Sequence, residues 1–374
     1  MPSFIPPEVL LLGPGPSPVP QRILDALARP TIGHLDPRFV GMMDDLKRLL
    51  RYAFQTGNEL TIPVSAPGSA GMETAFVNVI EPGDTVIVCQ NGVFGGRMRE
   101  NVMRIGAMPV MVNDAFGTPI DLDKVRSALK ANPGARALAF VHAETSTGVE
   151  SDAAELCRLA QEHGALSIVD AVTSLGGIPV CADAWGADAI YSGSQKCLSA
   201  PPGLSPVTFS ARAMERVRAR RSPVQSWFLD LGLVMNYWQG AGGRAYHHTA
   251  PINMLYALHE ALLMLEAEGL QAAFARHRAN HERFRDGLQA MGMELLVAEN
   301  CRLPQLNAVK VPEGVDEAAV RKRLLADFSI EIGAGLGELA GKIWRIGLMG
   351  AGSNPESVDR VLAALGACLD RKAP

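Results

Sequence analysis

A lysine and an aspartate stand where the sequence predicts the ends of two neighbouring strands. Lys196 lies in "YSGSQKCLSAPPG", directly after an apolar run, and Asp170 ends the preceding run, "ALSIVD". Because ligands of doubly wound sheets bind at the carboxyl ends of the strands, we expect the amine and the carboxylate to meet near one edge of the sheet. Placed in this way, the two groups could act on one bound molecule together.

Each of these residues also has an ordinary interpretation. A lone lysine is most often a solvated surface group, and a lone aspartate after a strand often caps a turn or a helix. As a pair, however, they suit pyridoxal phosphate, which is held on a lysine as a Schiff base with an acidic partner at its pyridine nitrogen. We therefore predict Lys196 and Asp170 as catalytic residues: the carboxylate keeps the ring nitrogen protonated, and the amine moves the substrate's α-proton.

Two glycine-rich segments supply the other contacts that this cofactor needs. The segment "SAPGSAGMETAF" is a small turn followed by a predicted helix from about Ser69, and amides at a helix N-terminus bind phosphate. Gly68 and Ser69 are therefore candidate phosphate donors, although such a turn also suits a simple helix cap. In "NGVFGGR", Phe94 is a candidate to cover the cofactor ring, with an ordinary buried phenylalanine as the alternative.

The elements that must position these residues follow from the hydrophobic pattern. Between residues 60 and 210, short apolar runs alternate with helical patterns, which predicts an α/β fold with a mostly parallel sheet flanked by helices. The strands are predicted in six runs: 85–89, 108–112, 137–143, 165–172, 188–193 and 205–210. Before them, "GPGPSPVP" predicts an irregular segment, because proline fixes φ and lacks an amide donor.

A change of pattern near residue 268 predicts a second, smaller domain. The helical stretch 251–292 is expected to break near Gly269, and mixed strand and helix patterns follow it. We predict three parts: an N-terminal arm over residues 1–15, a large cofactor-binding domain over 16–267 and a small C-terminal α/β domain over 268–374.

Composition argues against several kinds of partner. The chain of 374 residues carries a formal net charge of −4 and no block of basic residues, so neither nucleic acid nor an anionic membrane surface is an expected partner. The apolar run "VLLL" near the N-terminus is too short for a signal peptide or a membrane span. Six cysteines without a CxxC pair favour a reducing, cytoplasmic compartment over a disulfide framework or a zinc site.

Other classes of enzyme leave weaker signals in the sequence. A nucleotide-dependent oxidoreductase would need GxGxxG in a first βαβ unit, but Glu338 interrupts "GAGLGELAG", which lies near the C-terminus. A serine hydrolase would need GxSxG, and "GSQK" does not match it. The adjacent His247 and His248 would point apart in any extended segment, and we predict no metal site.

The order of the motifs along the chain resembles that of class V, fold-type I aminotransferases, in the alanine–glyoxylate and serine–glyoxylate (serine–pyruvate) aminotransferase family. The shared motifs are "GPGPSPVP", "FQTGN", "VNVIEPGD", "NGVFGGR", "HAETSTGV", "VDAVTSLGG", "YSGSQKCLSAPPG", "YHHT" and "RIGLMG". Of these, "VDAVTSLGG" together with "SGSQK" and "APPG" is the most specific combination. The resemblance covers almost the whole chain and implies a pyridoxal-phosphate-dependent homodimer whose active sites are shared between subunits.

The resemblance also assigns roles to individual residues. The implied cofactor contacts are Gly68, Ser69, Phe94, Thr145, Asp170, Val172, Gln195, Lys196, Tyr246 and Thr249. Within this set, Val172 would pack on the ring face opposite Phe94, while Tyr246 and Thr249 would reach the phosphate of the neighbouring subunit. Arg345 would bind the substrate carboxylate with its guanidinium fork, where a salt bridge inside the small domain is the alternative.

The reaction implied by the resemblance is a ping-pong transfer of an amino group from alanine or serine to glyoxylate, which yields pyruvate or hydroxypyruvate and glycine. Pyridoxamine–pyruvate and 2-aminoethylphosphonate–pyruvate aminotransferases of the same fold are the alternatives. The "YHHT" segment favours the glyoxylate enzymes, because it matches a clamp that retains the cofactor phosphate. An enzyme that releases the cofactor ring as its product would be hindered by such a clamp.

Overall fold

Strands and helices alternate along most of the chain in this computed structural model, which describes residues 1–239 and 244–370. The strands are β1 (Leu10–Leu11), β2 (Leu60–Val64), β3 (Thr85–Gln90), β4 (Met108–Asn113), β5 (Ala137–Val141), β6 (Ala143–Glu144), β7 (Val149–Glu150), β8 (Leu166–Asp170), β9 (Ala189–Tyr191), β10 (Ser205–Phe209), β11 (Leu306–Lys310), β12 (Ile330–Glu331), β13 (Gly333–Ala334) and β14 (Ile343–Gly347). The helices are α1 (Gln21–Leu27), α2 (Pro37–Phe54), α3 (Gly68–Val79), α4 (Val93–Ile105), α5 (Leu122–Ala131), α6 (Ala153–Glu162), α7 (Ala182–Trp185), α8 (Ala211–Arg218), α9 (Leu231–Gln239), α10 (Ile252–Glu268), α11 (Leu270–Ala290), α12 (Glu317–Phe328) and α13 (Pro355–Cys368).

A seven-stranded sheet in the order β2-β10-β9-β8-β5-β3-β4 forms the centre of the fold. The five strands β9, β8, β5, β3 and β4 are parallel to one another, whereas β10 runs antiparallel to both β9 and β2. Every residue of β5 and β8 is buried, as expected for strands covered by helices on both faces. The predicted α/β fold with a mostly parallel sheet is confirmed.

The edge strand β2 was not among the predicted strands. Its sequence, "LTIPV", contains Pro63, which cannot donate a hydrogen bond to a neighbouring strand. Within residues 1–239 and 244–370, this strand lies at the edge of the sheet and pairs with β10 alone. An edge strand tolerates a proline because one side of its backbone needs no partner strand.

Several helices begin and end where local side chains favour it. Asp36, Asp152 and Asn354 accept hydrogen bonds from first-turn amides and so cap α2, α6 and α13. The predicted break in the long helical stretch is confirmed at Gly269, which has φ of 84° between α10 and α11. In the two described ranges, no helix is both long and apolar enough to cross a membrane.

A second, smaller core lies towards the C-terminus. The antiparallel sheet β11-β14-β13 packs with α11, α12 and α13 around Phe284, Trp344 and Val361. The N-terminal strand β1 pairs in parallel with β12, and Leu12 is buried in the same core. Leu10–Leu12 therefore contact the C-terminal part of the chain, while the division into three parts given above stays a prediction.

Candidate active site

Asp170 lies at the carboxyl end of β8, where two hydrogen bonds hold its buried carboxylate. Oδ1 accepts from Val172 N at 2.8 Å, and Oδ2 accepts from the hydroxyl of Tyr191 at 2.9 Å. Burial raises the pKa of Asp170 to about 6, and these hydrogen bonds and the charge of Lys196 oppose the shift. A cation at this carboxylate would therefore offset the cost of burying it.

Lys196 follows β9, and its amine contacts the N-terminal segment. Nζ donates a hydrogen bond to the carbonyl oxygen of Pro14, and the hydroxyl of Ser17 donates to the carbonyl oxygen of Lys196 at 2.7 Å. Burial, and then the positive charge of Arg345, lower the pKa of the amine to about 8. A lysine with this pKa is more readily neutral near physiological pH, which suits a nucleophile or a proton carrier.

Gly15 makes room for this lysine. It has φ of 107°, which favours glycine, and a Cβ atom at this position would overlap the Lys196 side chain. Sequence reasoning predicted the irregular "GPGP" segment but did not connect it with the lysine. The clustered prolines and glycines were the feature of the sequence that could have indicated this close packing.

The start of α3 lies against Val172 and the loop before Lys196. A Cβ atom at Gly68 would lie 3.4 Å from Val172 Cγ2 and 3.6 Å from Gly193 Cα, so these segments approach closely. Gln195 Oε1 is buried without a hydrogen-bond partner in the described residues, and an amide flip could present its NH₂ group instead.

The start of α3 and the side chain of Gln195 suit the phosphate end of pyridoxal phosphate. The helix α3 begins at Gly68, so the first-turn amides of Gly68 and Ser69 stand at a helix N-terminus, a ready site for phosphate. Gly68 is buried and Ser69 is exposed. The incompletely bonded amide of Gln195 is the kind of group that a ligand completes.

Phe94 lies in the first turn of α4, next to a buried carboxylate. Its ring is half-buried, and the guanidinium carbon of Arg97 lies 4.6 Å from the ring centroid. The backbone N–H of Phe94 donates to Glu144 Oε2 at 3.3 Å. Sequence reasoning did not single out Glu144, although the motif "HAETSTGV" contains it.

Arg345 and Thr145 meet beside this site. Arg345, in β14, donates from Nη1 to the carbonyl oxygen of Thr145 at 3.2 Å and from Nε to that of Ala334 at 2.7 Å. The Thr145 hydroxyl hydrogen-bonds the hydroxyl of Thr173. Thr145 and Arg345 are both buried.

The charge of Arg345 has no ion-pair partner within the described residues, so the small-domain salt bridge considered above is not formed there. Burial lowers the pKa of its guanidinium to about 10, and the charge of Glu144 partly opposes this effect. The two carbonyl contacts leave further N–H donors of the guanidinium available. A buried cation of this kind suits an incoming carboxylate, which would both pair its charge and use these donors.

Tyr246 and Thr249 stand apart from this cluster in the described residues. Both are exposed, with 64% of Tyr246 accessible, and the Tyr246 ring lies 5.4 Å from that of His34. The expectation that His247 and His248 point apart holds for an extended segment, and the segment is not extended here. The chain bends there instead of extending, and the two Nδ1 atoms lie 2.8 Å apart.

The sheet and the site together define a fold-type I enzyme that depends on pyridoxal phosphate. The model of the family "Aminotransferase class-V" matches residues 9–344. The chain therefore belongs to the class V aminotransferases, and the predicted family, cofactor and type of enzyme are confirmed.

Three similar proteins cover almost the whole chain. The alanine–glyoxylate aminotransferase of Nostoc sp. is 46% identical and has a TM-score of 0.96, over 99% of this chain and 97% of that chain. The alanine–glyoxylate aminotransferase of Drosophila melanogaster is 38% identical over 97% of this chain and 93% of its own length. The (S)-ureidoglycine–glyoxylate transaminase of Bacillus subtilis is 38% identical over 96% of this chain and 90% of its own length.

Proposed function

We propose that this aminotransferase transfers the amino group of alanine or serine to glyoxylate in a ping-pong cycle, giving glycine and pyruvate or hydroxypyruvate. Two of the three similar proteins are named for alanine and one for (S)-ureidoglycine, but all three names contain glyoxylate. Glyoxylate as the acceptor is therefore the part of the proposal with the broadest support.

The observation that carries this proposal is the buried, carboxylate-free guanidinium of Arg345. Both substrates of the proposed reaction are small molecules with one carboxylate, and a fixed guanidinium fork binds such a group in one orientation. The positive charge of Arg345 repels the protonated amine of Lys196 and so helps to lower its pKa. A substrate held at Arg345 would thus present its α-carbon to the region of the lysine.

Each remaining residue of the site has a role in this reaction. Bound pyridoxal phosphate supplies an electron sink for the negative charge that remains when a proton leaves the α-carbon of the donor. Lys196 would hold the cofactor, and its Nζ would take up and return this proton. The Asp170 carboxylate would favour a protonated ring nitrogen. Phe94 and Val172 would enclose the ring.

The phosphate and the ring edge would be held by the other predicted residues. The first-turn amides of Gly68 and Ser69 would receive the phosphate, together with the side-chain amide of Gln195. The Thr145 hydroxyl would lie at the ring edge, beside the carbonyl oxygen that already accepts from Arg345.

We further propose a homodimer with shared active sites. The exposure of Tyr246 and Thr249 is compatible with contacts to the phosphate of a neighbouring subunit. The free state of all six cysteines supports a reducing compartment, for which we propose the cytoplasm.

A visible spectrum and peptide mapping test the proposed cofactor anchor. The purified protein should be yellow, and borohydride treatment should leave a pyridoxyl group on the peptide that contains Lys196. Lys196→Ala should lose this label. Lys47→Ala removes another partly buried lysine and should retain it. A protein that is colourless and stays colourless after incubation with pyridoxal phosphate would contradict the proposal.

A panel of donors and acceptors tests the proposed substrates. Alanine, serine, (S)-ureidoglycine, 2-aminoethylphosphonate and pyridoxamine would each be assayed with glyoxylate and with pyruvate. We expect the highest kcat/KM for alanine or serine with glyoxylate, and parallel double-reciprocal lines for a ping-pong cycle. A clear preference for pyridoxamine with pyruvate would instead establish the alternative reaction.

A further inference from the structure

The helix α4 begins without a capping side chain of its own. Its N-cap residue is Gly92, which offers no side-chain hydrogen bond to the first turn. The first two amides of the helix are instead satisfied by a distant segment. Val93 N donates to the hydroxyl of Ser146 at 2.9 Å, and Phe94 N donates to Glu144 Oε2 at 3.3 Å. The hairpin residues 144–146 therefore act as the cap of α4.

The cap is held rigidly by its own hydrogen bonds. Glu144 Oε1 accepts from Ser146 N at 2.9 Å and from the Ser146 hydroxyl at 2.5 Å, and the whole Glu144 side chain is buried. A Cβ atom at Gly92 would overlap the Glu144 carboxyl group and the Ser146 hydroxyl. Glycine at position 92 thus gives up a local cap but admits a buried carboxylate at the helix N-terminus, where the helix dipole favours an anion.

The same short segment also reaches the proposed substrate-binding residue. The carbonyl oxygen of Thr145, between the two capping residues, accepts from Arg345 Nη1. The backbone of Phe94, whose ring would cover the cofactor, and the guanidinium of Arg345, which would bind the substrate, are therefore hydrogen-bonded to the same short segment, residues 144–146. A displacement of this segment would move both groups.

We propose that Glu144 is a positioning residue, which with Ser146 fixes the backbone of Phe94 and so the orientation of its ring against the cofactor. The proposal rests on the proposed function, because it assumes that Phe94 faces pyridoxal phosphate. It assigns Glu144 no contact with substrate. Its carboxylate acts directly on the Phe94 amide and, through Ser146, on the Val93 amide.

The ionised carboxylate, and not only its volume, is required by this arrangement. Burial raises the pKa of Glu144 to about 7, and the hydrogen bonds from Ser146 and Phe94 oppose this shift, so the variants below are compared at about pH 8. Three donors point at the two oxygens of Glu144, two from Ser146 and one from Phe94. A glutamine of the same size offers one acceptor oxygen and an NH₂ group, which is a donor. In Glu144→Gln, the NH₂ group of the glutamine therefore faces at least one of these three donors, and that hydrogen bond is lost.

The experiment compares Glu144→Gln with Glu150→Gln, a matched change on the neighbouring strand β7. Two readouts need no turnover: the dissociation constant of pyridoxal phosphate for the folded apo protein, and the visible circular dichroism of the bound cofactor, which reports how its ring is held. We expect Glu144→Gln to weaken binding about tenfold, which corresponds to about 1.4 kcal/mol, and to reduce the dichroic band. Glu150→Gln should change neither.

A double-mutant cycle tests whether Glu144 acts through Phe94. In a Phe94→Leu background the ring is absent, so Glu144→Gln should then change cofactor affinity by less than twofold. An unchanged tenfold effect in this background would overturn the proposal, as would wild-type affinity and dichroism in Glu144→Gln itself. If Glu144→Gln does not fold, Ser146→Ala replaces it, with the same expected direction because it removes the Val93 cap.

The wild-type spectrum separates this inference from the proposed function. If the wild-type protein binds no pyridoxal phosphate, the proposed function and the inference fall together. If the wild-type protein binds it and Glu144→Gln behaves like wild type, only the inference falls.

Discussion

Tyr191 donates a hydrogen bond of 2.9 Å to the Asp170 carboxylate from the neighbouring strand. The two residues are register partners at the ends of β9 and β8, and both are buried. With the amide of Val172 on the other oxygen, the carboxylate is fixed from two sides by the protein itself. Such preorganisation reduces the ordering that a ligand must bring about when it binds.

Tyr191→Phe tests this relationship. Because the hydrogen bond lowers the pKa of Asp170, which burial has raised to about 6, its loss should raise that pKa further. A carboxylate must be charged to pair with a protonated ring nitrogen. As the pH is lowered, the affinity of the variant for pyridoxal phosphate should therefore begin to fall at a higher pH than that of the wild type. The measurement is the cofactor dissociation constant between about pH 5 and 8.

The control for this variant is Tyr52→Phe, whose hydroxyl accepts from the Leu270 amide at 3.1 Å, between α2 and the start of α11. It should leave the pH profile unchanged. Identical profiles for Tyr191→Phe and wild type would show that the hydroxyl does not tune Asp170.

Gly15→Ala should abolish retention of the cofactor. The added Cβ atom would overlap the Lys196 side chain, and the φ of 107° disfavours alanine. Gly41→Ala is the matched control, since its Cβ atom meets nothing within 4 Å and alanine favours the helix α2. Borohydride labelling of Lys196 is the measurement. A Gly15→Ala protein labelled as fully as wild type would contradict the close packing described here.

The buried charge of Lys196 should make the apo protein less stable at neutral pH. The pKa of about 8 in the folded state lies below the ordinary 10.5, so the charged amine destabilises the fold below pH 8. This cost, up to roughly 3 kcal/mol, disappears as the pH rises towards 10.5. Lys196→Met should therefore exceed wild type in unfolding free energy at pH 7, by a margin that shrinks above pH 8.

Urea denaturation of the apo proteins between pH 7 and pH 10 would measure this margin. Lys322→Met removes an exposed lysine on α12 and should show no such pH-dependent margin. A constant difference between Lys196→Met and wild type at all pH values would mean that the amine is not destabilised in its charged form.

Arg345→Lys should raise KM for both carboxylate substrates by about tenfold or more, with a smaller effect on kcat. An ammonium group keeps the charge but loses the planar fork, and a shorter reach would also break the contact with the Thr145 carbonyl. Arg283→Lys, in an exposed ion pair with Asp359, is the control. Unchanged KM values in Arg345→Lys would place the carboxylate-binding group elsewhere.

Features that depend on local pattern were predictable from the sequence. All six predicted strands exist, within a few residues of their expected bounds, because each is a short apolar run ended by turn residues. Once the strands are known, Asp170 and Lys196 follow at their ends. The helix break at Gly269 has an equally local cause.

Features that depend on contacts between distant segments were not predictable in the same way. The carboxylate of Glu144 and the carbonyl of Pro14 act on residues 50 and 182 positions away. Neither residue has a spacing that points to its partner. The contact of Tyr191 with Asp170 was easier to predict, because aligning the ends of the parallel strands β8 and β9 places the two residues opposite each other.

The pairing of the first strand with the C-terminal part has a consequence for how the enzyme folds during synthesis. Pro14 touches the Lys196 amine, Leu12 accepts a hydrogen bond from Gly347 N at 2.8 Å, and Arg345 lies two residues before that glycine. The pocket is thus assembled from segments that lie far apart in the sequence, one near Pro14 and one near Arg345. A nascent chain that has not yet reached Arg345 therefore cannot form the complete pocket, even when Lys196 and Pro14 have already been synthesised.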